Sequence, residues 1–185
     1  MRTIFIFHGT GAGPEWNWFP WMKAELEKLG CQVFVPKFPT PEGESLDAWL
    51  AVFNNYKKYL NKESILIGHS KGGLFLLRLL ERLEKPVHAA FFVGAPIGIP
   101  PIKYMVHDEK FAIGFSFDWQ KIKSNAQKIF VYHSDNDPYV CLANGQELAK
   151  HLGVNLTFIP NAGHLNAESG YTKFPQLRQQ LEKLL

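Results

Sequence analysis

Short apolar runs rich in β-branched and aromatic residues recur along the chain, each closed by glycine, proline or a small polar residue. Residues 3–7 stop at His8-Gly9, 32–35 at Pro36, 64–67 at Gly68, 89–93 at Gly94, 128–132 near Ser134 and 155–159 at Pro160. Runs this short, without strict polar alternation, predict strands buried on both faces, as in a parallel sheet. Helical patterns fill the gaps, over 19–29, 45–60, 74–83, 142–152 and 174–184. In the first, Leu26 and Leu29 fall among Lys and Glu, and Gly30 supplies a stop. In the second, Ser45 is a capping residue and Leu46, Leu50 and Phe53 share one face. The third is nearly all leucine apart from Arg78, Glu81 and Arg82, which predicts a well-buried helix. The alternation predicts one α/β domain over residues 1–185, with about six parallel strands and helices on both faces. No repeat, low-complexity tract or linker interrupts it.

One segment does not fit the rhythm. Residues 97–127 separate two strands by more than an ordinary crossover needs. Pro96, Pro100 and Pro101 punctuate its start, and Phe115, Phe117 and Trp119 alternate with polar residues before Ile122. Two readings fit: a short lid over a site, or a surface helix with a long leading loop, the latter preferred.

Composition narrows the function classes. Of 185 residues, 46% are hydrophobic and 20% charged, with a formal net charge of +3. That charge is too weak, and Lys, Arg and Glu too interspersed, to argue for a nucleic-acid partner. No run approaches a membrane span. Residues 1–7 lack the longer apolar region and cleavage site of a signal peptide, so a cytoplasmic location is expected. Cys31 and Cys141 form no C-x-x-C or zinc spacing and are expected to be reduced and buried.

The chemistry begins at Gly68-His69-Ser70-Lys71-Gly72, a G-x-S-x-G pentapeptide between a predicted strand and a predicted helix. That context is the one a nucleophile elbow requires. The small residues on either side avoid backbone collision in a sharp turn that lifts the serine hydroxyl to a helix N-terminus. A serine needs a base. Of seven histidines, His164 alone lies in a loop between the last predicted strand and the final helix. His8 ends the first strand and His69 sits inside the elbow. Packing at the surface or in the core is expected for His88, His107, His133 and His151. The base needs an orienting carboxylate, and both Asp135 and Asp137 follow the fifth strand. The chain order Ser, Asp, His matches that of α/β-hydrolases. The loop His8-Gly9-Thr10-Gly11-Ala12-Gly13 offers a further backbone donor. The N–H groups of Thr10 and Lys71 are the expected oxyanion hole. With strand order 2-1-3-4-5-6, strands one and three adjoin at the topological switch point, and their loops share one crevice. The glycine-rich loop is not a dinucleotide fingerprint, because Pro14 stands where the third glycine belongs and the second strand ends in Pro36-Lys37 with no acidic ribose ligand.

Taken together, these residues resemble the retinoblastoma-binding protein nine and YdeN-type serine hydrolase family, over nearly the whole chain. The landmarks are His8-Gly9-Thr10, Asn17-Trp18-Phe19-Pro20-Trp21, Gly68-His69-Ser70, Phe117-Asp118-Trp119, Ser134-Asp135-Asn136-Asp137-Pro138, Gly163-His164 and Gly170-Tyr171-Thr172-Lys173-Phe174-Pro175. The resemblance implies a three-layer α/β-hydrolase fold without a large cap domain and an esterase-like activity. It also implies that the acid is the Asp before Pro, Asp137. Two departures stand out. Lys71 follows the nucleophile where an apolar residue is more usual. The preferred reading is a helix-start lysine turned to solvent, and the sharper one a positive charge near an anionic substrate. The pocket-protein motif L-x-C-x-E is broken at Leu29-Gly30-Cys31-Gln32-Val33, so that partner is not carried over. Trp16, Trp18, Phe19 and Trp21 either wall a pocket or, as preferred, pack the first helix.

The expected reaction is acyl transfer from a small ester to water through Ser70, His164 and Asp137, needing no metal or organic cofactor. Amide or thioester cleavage by the same groups is the enzymatic rival. A non-catalytic binding module on the same fold is the rival from another class. Oligomeric state is not legible.

Overall fold

A computed structural model describes residues 1–103, 111 and 113–185. Six parallel strands form its centre: β1 Thr3–Phe7, β2 Gln32–Phe34, β3 Ile65–His69, β4 Val87–Val93, β5 Ala126–His133 and β6 Leu156–Phe158. Their order is β2-β1-β3-β4-β5-β6, as the sequence pattern predicts. Around them lie α1 Phe19–Lys28, α2 Leu46–Asn54, α3 Lys71–Leu80, α4 Trp119–Ser124, α5 Leu142–Leu152 and α6 Pro175–Glu182.

Successive strand residues point to opposite faces, and the core divides accordingly. Phe5, Phe7, Leu66, Ala90 and Phe92 join the cluster beneath α2, α3 and α5. Ile4, Ile6, Ile65, Ile67, Phe91 and Val93 join the cluster beneath α1 and α6. β1, β3 and most of β4 are buried on both faces. The expectation fails at the edge, where Leu156 is half-buried and Thr157 and Phe158 are exposed. An edge strand has one neighbour only, and no helix covers this one completely.

Helix boundaries follow local chemistry. Gly30, at φ +80°, ends α1. Ser45 Oγ accepts the N–H of Ala48 at the start of α2. The predicted helix over 45–60 breaks after Asn54 into a 3-10 turn, Lys57–Tyr59. Asn55 Nδ2 bonds the Val52 carbonyl there, the competition with backbone that makes Asn a poor helix former. The leucine-rich helix begins three residues earlier than predicted, at Lys71, because the elbow itself starts it.

The described parts of the segment over 97–127 are docked, not free. Asn144 Oδ1 accepts the N–H groups of Ile97 and Ile99. Buried Arg78 donates to the carbonyls of Phe111 and Ser116 and lies 4.2 Å above the Phe117 ring. Among the described residues the segment carries a 3-10 turn, Ile113–Phe115, and the short helix α4, in keeping with the surface-helix reading. The rest of the suggested lid, 104–110 and 112, and with it His107, lies outside the described residues.

β1 and β3 are adjacent, so the loops after them open on one crevice. The approach is close enough to exclude a side chain: a Cβ on Gly72 would lie 2.1 Å from the Phe7 carbonyl oxygen. We expect Gly72→Ala to lose about 3 kcal/mol, the upper range for overpacking against unyielding backbone. Gly30→Ala, where nothing lies within 4 Å, should lose only the left-handed backbone penalty, about 1 kcal/mol. Urea denaturation of both variants checks the contrast, and equal losses would contradict it.

Candidate active site

Ser70 stands on the turn between β3 and α3 at φ +55°, ψ −125°, a region that non-glycine residues seldom occupy. The surroundings enforce it. The Ser70 N–H donates to the Val93 carbonyl at 2.8 Å, and the Ser70 carbonyl accepts the Gly73 N–H at 2.8 Å. A Cβ on Gly68 would meet the Gly72 oxygen at 2.4 Å, and one on Gly73 would meet Ala95 Cβ at 2.4 Å. Only glycine fits at 68, 72 and 73, which is why the elbow has the spacing it has. On its exposed side Ser70 faces the loop after β1, where a Cβ on Gly9 would lie 2.8 Å from Ser70 Cβ.

His164 lies in the loop between β6 and α6. Its Nδ1 is 2.7 Å from Asp137 Oδ2. A carboxylate only accepts, so Nδ1 carries the proton and Nε2 remains as the basic nitrogen. Asp137 is almost completely buried. Burial raises its pKa, but the bond and charge of His164 and the N–H groups of Val140 and Tyr139 outweigh that and hold it below the usual carboxylate range. Asp135 is directed elsewhere: its Oδ1 accepts the Asn161 N–H at 2.8 Å, the turn-closing role its sequence position suggests. Ser70 Oγ makes no side-chain hydrogen bond among the described residues.

The loop that carries His164 is held residue by residue. Asp135 Oδ1 accepts from Asn161 N, Ser134 Oγ from Ala162 N, Asn136 Oδ1 from Gly163 N, and Asp137 takes the His164 ring. Four successive side chains after β5 thus grip four successive residues after β6. From the far side Ser169 Oγ accepts the His164 N–H at 3.1 Å.

Ser70, Lys71, His164, Thr10, Tyr139 and Trp16 are among the residues lining one cavity of about 470 Å³. Trp18 and Phe19 are wholly buried and Trp21 is half-buried, so of the early aromatic group Trp16 alone reaches the cavity and the packing reading holds for the others. Among the described residues no group of three or more His, Cys, Asp or Glu could hold a metal ion, and no helix is long and apolar enough to cross a membrane. Both cysteines are free; Cys141 is only half-buried.

With this geometry in place, comparison with known proteins becomes informative. The serine hydrolase family model matches residues 4–183. The chain belongs to the serine hydrolase family. It is 30% identical over 177 residues to YdeN of Bacillus subtilis (strain 168), covering 94% of this chain and 91% of that protein. It is 26% identical to the serine hydrolase RBBP9 of Rattus norvegicus, covering 97% and 94%. The crystal structure of the B. subtilis ydeN gene product superposes with a TM-score of 0.86 over 100% of this chain and 98% of that one, at 26% identity. Est1E of Butyrivibrio proteoclasticus with ferulic acid bound shares the fold, with a TM-score of 0.67 at 15% identity over 98% and 90%. The protein is therefore a hydrolase with the α/β-hydrolase architecture.

This serine hydrolase also places residues near the site whose roles the sequence did not disclose. Lys71 is the clearest correction. Its side chain is 4% exposed and paired with Glu44, 15% exposed, so it is not turned to solvent. Glu44 was invisible as a partner because 27 residues separate the two. Three histidines act as internal struts. His8 Nε2 accepts the Phe38 N–H, which puts the ring proton on Nδ1, facing the Gly9 carbonyl. His133 Nε2 donates to the Val140 carbonyl behind Asp137. His69 Nε2 donates to the His164 carbonyl at 2.9 Å, so the elbow residue beside the serine anchors the base. A histidine next to the elbow serine was the only signal available for that contact.

Burial pulls the His69 pKa down from 6.5 to about 3 and pulls those of His8 and His133 down as well. A histidine depressed in the folded state binds its proton more readily in the unfolded chain. Stability should therefore fall as pH drops from about 6.5 towards 3. His69→Gln keeps an N–H donor for the His164 carbonyl but cannot titrate. We expect its melting temperature to decline less steeply than that of the parent between pH 6.5 and 4. Calorimetric scans across that range test this, and parallel curves would exclude His69 as a source of the acid sensitivity.

Proposed function

We propose that this protein hydrolyses small, uncharged carboxylic esters through Ser70, His164 and Asp137 by way of an acyl-enzyme. The observation that carries the reading is the convergence of a strained, half-buried serine and an Asp137-oriented imidazole on one cavity. Ser70 Oγ attacks the ester carbonyl as His164 Nε2 takes its proton, forming the C–O bond of a tetrahedral intermediate. The N–H groups of Thr10 and Lys71, which flank Ser70 in the cavity lining, stabilise the oxyanion. Collapse breaks the bond to the leaving alcohol, which receives the proton from His164. Water then adds by the same route, giving up its proton to His164, and the acid leaves as Ser70 Oγ regains a proton. Asp137 remains ionised throughout, keeping the proton on Nδ1 and stabilising the imidazolium.

The substrate class follows from the walls. Ala12, Pro41, Pro96, Ile102 and Val140 make the cavity predominantly apolar, and Lys71, the one lysine among its described lining residues, is paired with Glu44. A volume of about 470 Å³ suits a short acyl group with its leaving alcohol and is too small for a triglyceride. Hydrolysis of p-nitrophenyl acetate or butyrate should outpace that of long-chain triglycerides, and the opposite preference would refute the size argument.

An alkyl fluorophosphonate should add to Ser70 alone, with loss of fluoride, as read by intact mass and peptide mapping. A folded, unlabelled protein would favour a binding module. Asp137→Asn should lower turnover by about 10⁴-fold, the scale on which a triad loses activity when its imidazole takes the wrong tautomer. Asp135→Ala should instead leave turnover little changed and lower the melting temperature, because it releases the Asn161 N–H and the Ser134 hydroxyl but does not touch the His164 ring. Rates and melting curves for both variants distinguish the two carboxylates, and loss of turnover in Asp135→Ala would reassign the acid.

A further inference from the structure

We propose that the Lys71–Glu44 ion pair, together with Thr40, is a positioning device that sets the spacing between the two oxyanion donors. The inference rests on the reading of Ser70 as nucleophile given above. Glu44 lies in the loop just before α2. One of its oxygens meets Lys71 Nζ. The other accepts the Thr40 hydroxyl at 2.6 Å. Thr40 Oγ1 in turn accepts the Gly11 N–H at 2.9 Å. A continuous path, Gly11 to Thr40 to Glu44 to Lys71, therefore ties the loop after β1 to the first residue of α3. One end adjoins Thr10 and the other is the residue after the nucleophile. Those two segments carry the proposed donors and belong to different, parallel strands.

Physical cost argues that the pair has a geometric role. Lys71 opens a helix whose next two residues are packed glycines. Apolar side chains of similar size in place of both Lys71 and Glu44 would fill the space with no charge to desolvate, and replacing a whole buried pair in that way is often neutral or stabilising. A buried pair, unlike a screened surface one, has a defined reach and direction. The Phe111 ring, 4.2 Å from Nζ, further confines the ammonium. Oxyanion stabilisation depends on donors held within hydrogen-bond range of an oxygen that is absent in the ground state. A tether that sets the spacing of those donors acts on that oxygen rather than on the ground-state ester. Glu44 and Thr40 are thus positioning residues, and so is the side chain of Lys71.

The test uses Lys71→Met, Glu44→Gln, the double variant and Thr40→Val. The probes are p-nitrophenyl acetate, whose turnover reports the reaction, and a trifluoromethyl ketone, which forms a tetrahedral adduct on the serine. We expect Lys71→Met and Glu44→Gln each to lower kcat by about 10- to 100-fold, below the loss for deleting a donor outright. KM should stay within about twofold, ketone affinity should weaken in step with kcat, and the double variant should be no worse than the poorer single. Thr40→Val should show the same pattern more weakly, and it provides the reading if Lys71→Met fails to fold. Variants that melt earlier but keep kcat and ketone affinity would reduce the pair to a structural contact and overturn the proposal. So would a raised KM at unchanged kcat, which would make Lys71 a substrate contact. Failure of the underlying reading has a separate mark: the parent protein itself would neither take a fluorophosphonate at Ser70 nor turn over the ester.

Discussion

The first turn of α3 lies against the end of β1 with no space for a side-chain carbon between them. Gly72 approaches the Phe7 and His8 carbonyls, Gly73 approaches Ala95, and Gly68 approaches Gly72 itself. This contact makes the rest of the site possible. It lets the chain reverse from strand to helix in one residue and forces Ser70 into a positive-φ conformation. It also brings the loop after β1 close beside the serine. The strain at Ser70 is confined by the sheet on one side and the leucine-rich α3 on the other, where every residue of the helix is buried. A loosely packed helix could relax the turn by shifting outward; this one has nowhere to go.

The His164 imidazole is supported on a different plan. The elbow is a steric construction, whereas the His164 loop is built from hydrogen bonds. Side chains 134 to 137 bind residues 161 to 164 in close succession, and His69 and Ser169 hold the His164 main chain from two further directions. Loops offer many backbone N–H groups with no ladder to satisfy them. A stretch of short polar residues after the neighbouring strand meets that demand and fixes the imidazole at the same time. His133 completes the arrangement: it bonds the Val140 carbonyl, and its ring occupies the space that a side chain at Gly145 would need.

Two buried cations divide the remaining work. Arg78, on the middle of α3, docks the described parts of the long connection between β4 and β5 through the Phe111 and Ser116 carbonyls and an ion pair with Glu81. Lys71, at the start of the same helix, pairs with Glu44 and lies over the Phe111 ring. One helix thus carries an apolar load over most of its surface and two desolvated charges at defined points. Each charge is satisfied by loops that approach from other parts of the chain.

The sequence by itself determined the alternation of strands and helices, the parallel sheet and the elbow, because these depend on local apolar periodicity and on where glycine alone can stand. The spacing of Gly68, Ser70 and Gly72 is a steric requirement written within five residues, and the order of Ser70, Asp137 and His164 follows the order of the strands that carry them. What the tertiary structure decided is every pairing across long separations. Lys71 with Glu44, His69 with the His164 carbonyl, and Ser134 to Asn136 with residues 161 to 163 leave no periodic trace. A buried polar group takes whichever partner the fold brings within about 3 Å. The same reasoning separates the two carboxylates. Asp135 and Asp137 are alike in a list of residues. They differ because one side chain faces the Asn161 backbone and the other the His164 ring, and that orientation exists only after β5 and β6 are paired in the sheet.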